Sequence, residues 1–80
     1  MDKNVLTPDE KLDAAGLTCP MPLLKAKQVL NKMESGCILE IISTDSSSVR
    51  DFEVVSRQSG NELIESKEVD GVFTYVMRKA

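Results

Sequence analysis

Two cysteines and no histidine set the side-chain chemistry open to this 80-residue chain. Cys19 opens the run Cys19-Pro20-Met21-Pro22, where a thiol precedes a helix-like segment and two prolines stiffen the entry. Each proline fixes its own φ and pushes the preceding residue, Cys19 or Met21, away from the α region, so a rigid turn holds the thiol. Helix N-termini present unpaired N–H groups and partial positive charge, which favour a sulfur anion over its protonated form. Pro20 and Pro22 have no N–H, so the donors must come from Leu23, Leu24 and Lys25, with Lys25 and Lys27 adding local positive charge. A reactive thiol is one reading of Cys19; a small buried hydrophobe in a proline-containing loop is the other.

The missing histidine removes Cys-His and Ser-His catalysis. It also leaves two cysteines needing carboxylates to complete any tetrahedral zinc site, so no metal and no bound cofactor is expected. Cys37 alternates in phase with Leu39 and Ile41, which points to core packing. As a resolving thiol for Cys19 it would need a Cα separation within about 7 Å.

The elements that must position Cys19 follow from hydrophobic spacing. Residues 1–10 are polar, contain Pro8 and read as a flexible extension, which leaves 11–80 as a single domain. Leu12 to Ala14 reads as a short strand ended by Gly16. From Pro22 to Met33 the pattern is helical, with Leu23, Ala26, Val29, Leu30 and Met33 on one arc. Leu24 falls off that arc, exposed at the same end as Cys19.

Cys37 to Ser43 is a strand by its isoleucine and leucine content. Ser48 and Asp51 make an S-x-x-D capping pattern before a second helix carrying Val49, Phe52 and Val55, and Gly60 suits its C-terminal cap. Asp70-Gly71 closes a hairpin between Glu62 to Val69 and Val72 to Arg78, with Phe73, Tyr75 and Met77 on one face. The order β-α-β-α-β-β predicts an α+β fold: a two-layer sandwich with both helices on one face of a four-stranded mixed sheet.

Composition narrows the function classes. A formal net charge of -3 gives no general attraction to phosphate backbones, so direct nucleic-acid binding is not expected. The N-terminal stretch lacks the apolar segment of a signal peptide, and the longest apolar runs are too short to cross a bilayer. A cytoplasmic protein without membrane contact is the expectation. A chain of this length has little volume for an enclosed pocket and carries no nucleotide-binding loop, which favours a protein that works with partners over a complete enzyme.

At this point the chain resembles the TusA/SirA family of small sulfur carriers. The residues that carry the resemblance are Leu12-Asp13, Gly16-Leu17, Cys19-Pro20-Met21-Pro22, Leu24 and Lys27, followed by Asp45, Asp51 and Asp70-Gly71. Thr18 and Met21 depart from the charged residues usual in members best known for tRNA thiolation, and Cys37 stands where a non-cysteine residue is usual. The resemblance implies a two-layer α/β sandwich and a motif cysteine, here Cys19, that accepts sulfane sulfur as a covalent persulfide. It implies a donor protein, a rhodanese or cysteine desulfurase, and an acceptor protein in tRNA thiolation, sulfur oxidation, thiosulfate use or molybdenum-cofactor synthesis. Met21 and Leu24 would give apolar contacts to a partner, and Lys25 and Lys27 charged ones, with the free protein a monomer. Two rivals remain: an interaction module whose cysteine never carries sulfur, and a redox sensor pairing Cys19 with Cys37.

Overall fold

Leucines and isoleucines at alternate positions make the centre of the sheet, and the sites where that alternation stops mark its ends. A computed structural model describes residues 8–80. The elements run β1 (Glu10–Ala14), α1 (Met21–Lys32), β2 (Ile38–Ser43), α2 (Ser48–Ser59), β3 (Glu62–Val69) and β4 (Val72–Arg78). The sheet order is β1-β2-β4-β3. β1 runs parallel to β2, and the other neighbours are antiparallel, so the sheet is mixed as expected.

β2 and β4 are the central pair, and their register sets Leu39 opposite Met77 and Ile41 opposite Tyr75. Those four side chains are fully buried with Ala26 and Leu30 of α1 and Phe52 of α2. Phe52 stacks on Tyr75 with ring centroids 4.5 Å apart, which fixes α2 over the sheet. Leu23, Val29 and Met33 pack against this core, so the apolar arc of α1 lies where its spacing places it. Gly60 takes a left-handed φ of 82° and donates its N–H to Ser56, closing α2. Asp70 and Gly71 both have positive φ, the geometry of a two-residue type I′ hairpin turn.

Three expectations need correction. β1 begins at Glu10, and Asp9 is tied to the sheet: its N–H donates to the Ile38 carbonyl and its carboxylate accepts the Ile38 N–H, both at 2.8 Å. Of the extension expected over residues 1–10, residues 1–7 lie outside the described residues. Cys37 precedes β2 and is half-buried outside the core cluster, because the strand ladder begins one residue later. The capping role expected of Ser48 and Asp51 is not made: Ser47 occupies the cap position, and its side chain makes no capping hydrogen bond. Asp51 is engaged elsewhere, as described below.

Candidate functional site

Parallel pairing of β1 and β2 builds the site. Ala14 and Ser43 are register partners at the carboxyl ends of these strands, so the loops that follow them leave the sheet side by side. The β1–α1 loop carries Cys19 and the β2–α2 loop carries Asp45. Open α/β sheets characteristically place their chemistry outside the carboxyl ends of parallel strands for this reason.

Hydrogen bonds tie the two loops together. The Gly16 N–H donates to Thr44 Oγ1 at 2.9 Å, and the Cys19 N–H donates to the Asp45 carboxylate. Asp45 also accepts from the Ser47 N–H at 3.0 Å and the Ser47 hydroxyl at 2.9 Å. These donors hold its carboxyl below the ordinary carboxylate range, the Ser47 N–H being the largest cause. Beneath the loop, the Ser48 hydroxyl donates to the Asp45 carbonyl and lies 2.6 Å from the buried Tyr75 hydroxyl. Because the Ser48 proton is committed to Asp45, Tyr75 is the donor in that second bond.

Cys19 itself is exposed, which overturns the buried-hydrophobe reading. Its thiol donates to Asp51 Oδ2 at 3.2 Å from the first turn of α2. The electrostatics are the reverse of the anion-favouring setting expected from a helix start. The thiol is pushed above its ordinary value, chiefly by that hydrogen bond to Asp51, with the Ser47 hydroxyl opposing and the charges of Asp51 and Asp45 adding to the rise. The helix start contributes little: Met21 donates its N–H to Thr18 and Leu24 to Pro20, and Pro22 has none. Leu23 is left as the one first-turn amide without a hydrogen bond among the described residues.

The other residues singled out by the sequence surround Cys19 unevenly. Pro20 occupies the cap position of α1, and Pro22 is buried in its first turn. Met21 and Leu24 are exposed apolar side chains, 40% and 43% accessible, on that same turn. Lys25 is half-buried, whereas Lys27 lines a groove with Val55, Gln58 and Ser59 between the two helices. Cys37 lies at the opposite end of β2 from Asp45. At roughly 3.3 Å per residue that strand spans about 17 Å, which rules out an intramolecular Cys19–Cys37 disulfide without refolding. Sequence reasoning named Asp45 only as a mark of resemblance; the S-x-x-D spacing drew attention to Asp51 but suggested the wrong partner.

Comparison with known proteins places the chain in a family. The family model described as Sulfurtransferase TusA matches residues 10–79. A protein named sulfur carrier protein TusA from Allochromatium vinosum is 51% identical over 72 residues, covering 90% of this chain and 95% of that one. A protein of the same name from Pseudomonas putida is 40% identical over 73 residues, covering 91% of each. The crystal structure of a SirA-like protein from Desulfitobacterium hafniense superposes with a TM-score of 0.77 at 25% identity, over 86% of this chain and 95% of that one. With the family model spanning all six elements and half the residues shared with a curated relative, the chain belongs to the sulfurtransferase TusA family.

Proposed function

We propose that the protein is a cytoplasmic sulfur carrier that holds sulfane sulfur as a persulfide on Cys19 and delivers it to a partner protein. The observation that carries this reading is the exposed Cys19 thiol, anchored through its own N–H to Asp45 on an open surface. Such a thiol can be reached by another protein's active site. In uptake, the Cys19 sulfur attacks the terminal sulfur of a donor persulfide: a new S–S bond forms, the donor's S–S bond breaks, and the donor leaves as a thiol. In delivery, an acceptor nucleophile repeats the exchange on the outer sulfur of Cys19. A rhodanese or a cysteine desulfurase fits the donor role, and tRNA thiolation or sulfur oxidation fits the acceptor pathway.

The chain has no histidine to act as a general base, and among the described residues Cys19 sits on exposed surface, so the partner's active site supplies the remaining catalytic groups. Met21 and Leu24 form the apolar part of the docking surface, with Lys25 beside them and Lys27 on the adjoining flank.

Intact-protein mass spectrometry after incubation with a persulfide donor tests the proposal. Wild type and Cys37→Ser are expected to gain the mass of one sulfur, and Cys19→Ser to gain none. Uptake surviving in Cys19→Ser would sink the assignment. Folded wild type that takes no sulfur from several donors would favour an interaction module whose cysteine carries nothing.

A further inference from the structure

Asp51 stands 3.2 Å from the reacting sulfur and has a position in the fold that the carrier chemistry above does not use. It occupies the first turn of α2, where a carboxylate ordinarily turns back to the unpaired N–H groups of its own helix. Here it makes no such bond. Among the described residues its carboxylate has no hydrogen-bond partner but the Cys19 thiol and no ion-pair partner at all.

Asp45, by contrast, is saturated by the Ser47 N–H, the Ser47 hydroxyl and the Cys19 N–H. The two carboxylates beside the thiol therefore have different tasks. Asp45 places the Cys19 backbone; Asp51 meets only its proton.

We propose that Asp51 holds Cys19 as a neutral thiol in the unloaded carrier, and that a cationic side chain beside the donor's persulfide releases the thiol by taking over that carboxylate. The inference rests on the carrier reading of Cys19. A carboxylate that accepts from a thiol stabilises the protonated form, and a thiol is a far weaker nucleophile and a slower target for oxidants than a thiolate. The ionisable groups facing the sulfur agree in sign. Asp51 and Asp45 of the β2–α2 segment both disfavour the thiolate, with the Ser47 hydroxyl opposing them.

Tyr75 of β4 lies beneath with its hydroxyl engaged by Ser48. The β1–α1 loop from Ala15 to Thr18 brings no charge, and neither Lys25 nor Lys27 of α1 pairs with Asp51. Among the described residues no cation pairs with Asp51, which leaves its carboxylate open to one from a partner.

An arginine or lysine of the donor that pairs with Asp51 removes the acceptor and cancels its charge. The proton then leaves Sγ and is taken up by the departing donor thiolate as the Cys19 sulfur bonds to the sulfane sulfur. The sum, Cys19–SH plus R–SSH giving Cys19–SSH plus R–SH, needs no oxidant or reductant.

Two measurements in a Cys37→Ser background test this. The first is the rate of alkylation by iodoacetamide against pH in otherwise wild-type protein, Asp51→Asn, Asp51→Ala and Asp51→Glu. Both neutral variants should react several-fold faster at pH 7, with their profile midpoint displaced downward, while Asp51→Glu retains the slow profile. Identical profiles in all four would overturn the proposal.

The second is sulfur uptake from two persulfidated peptides that differ only in arginine or glutamate flanking the cysteine. Uptake should be several-fold faster from the arginine peptide, and Asp51→Asn should lose that preference. An equal preference in the variant would overturn the cationic trigger. If the wild type took no sulfur from either peptide, the carrier reading itself would fail, and the alkylation profiles would still decide whether Asp51 holds the proton.

Discussion

At the scale of single residues, a buried chain of hydroxyls supports the exposed sulfur. Tyr75 is fully buried and donates to Ser48, which donates in turn to the carbonyl of Asp45, the residue that anchors Cys19. Burial raises the Tyr75 phenol above its ordinary value, so it stays a donor across the physiological range. Tyr75→Phe keeps the stacking on Phe52 and removes only the hydroxyl. It should cost about 1 kcal/mol of stability, the net contribution of one intramolecular hydrogen bond, read from the urea midpoint at unchanged slope. Sulfur uptake should fall with it, because the Asp45 loop loses its lower support. An unchanged urea midpoint together with unchanged uptake would show that the hydroxyl chain positions nothing.

Which residues matter was only partly legible from the sequence, and the reason is physical. Cys19 announces itself through the prolines that flank it, since their backbone constraints are local and independent of the fold. The partners of Cys19 lie 26 and 32 residues away in the chain, and no local rule reports a contact of that separation. Asp51 shows the consequence: the S-x-x-D spacing points to a helix cap, yet the tertiary contact with the thiol claims the carboxylate. The prediction of an anion-favouring helix start failed similarly, because two prolines and two local N–H bonds leave it short of free donors, and two acidic side chains arrive from the β2–α2 loop and the first turn of α2.

At the scale of elements, α1 connects the site to the core. Its first turn carries Pro22, Met21 and Leu24 around Cys19, and its second and third turns bury Ala26 and Leu30 against the sheet. This periodicity was readable because an amphipathic helix repeats its apolar side chains at three- and four-residue intervals regardless of what it packs on. β1 was harder to delimit, since Glu10, Lys11 and Asp13 are exposed on an edge strand and only Leu12 and Ala14 are shielded from solvent. Leu30 is 2% exposed, so Leu30→Ala should cost about 2–5 kcal/mol through lost burial and a residual cavity. A domain of this length holds about 4–12 kcal/mol in total, so the variant should lose a large share of its stability and unfold at a clearly lower urea concentration. Far-ultraviolet circular dichroism in a urea titration would read this directly, and a loss below about 1 kcal/mol would mean that α1 is not anchored by this side chain.

At the scale of the whole molecule, the arrangement that makes the site is the parallel alignment of β1 and β2 around the α1 crossover. It brings two loops to one edge while Cys37 is carried to the other. The side of the sheet away from the helices is laced by pairs such as Arg78 with Glu62 at 3.2 Å, both solvent-exposed and of little consequence for stability. Acid sensitivity is therefore expected to come from the site loop.

The Asp45 carboxyl lies below its ordinary value in the folded state because the Ser47 N–H, the Ser47 hydroxyl and the Cys19 N–H favour its charged form. A depressed carboxyl contributes stability that is fully present above the unfolded carboxylate pKa and is lost as pH falls through the lower folded value. Melting temperatures should thus decline on acidification below the ordinary aspartate range, and Asp45→Asn, which cannot titrate, should flatten that decline while lowering stability at neutral pH. A variant whose acid limb superposes on that of wild type would place the acid-sensitive group elsewhere and leave Asp45 as a neutral-pH anchor only. A flattened limb would join the fold's acid tolerance to the same hydrogen bonds that hold Cys19 in place.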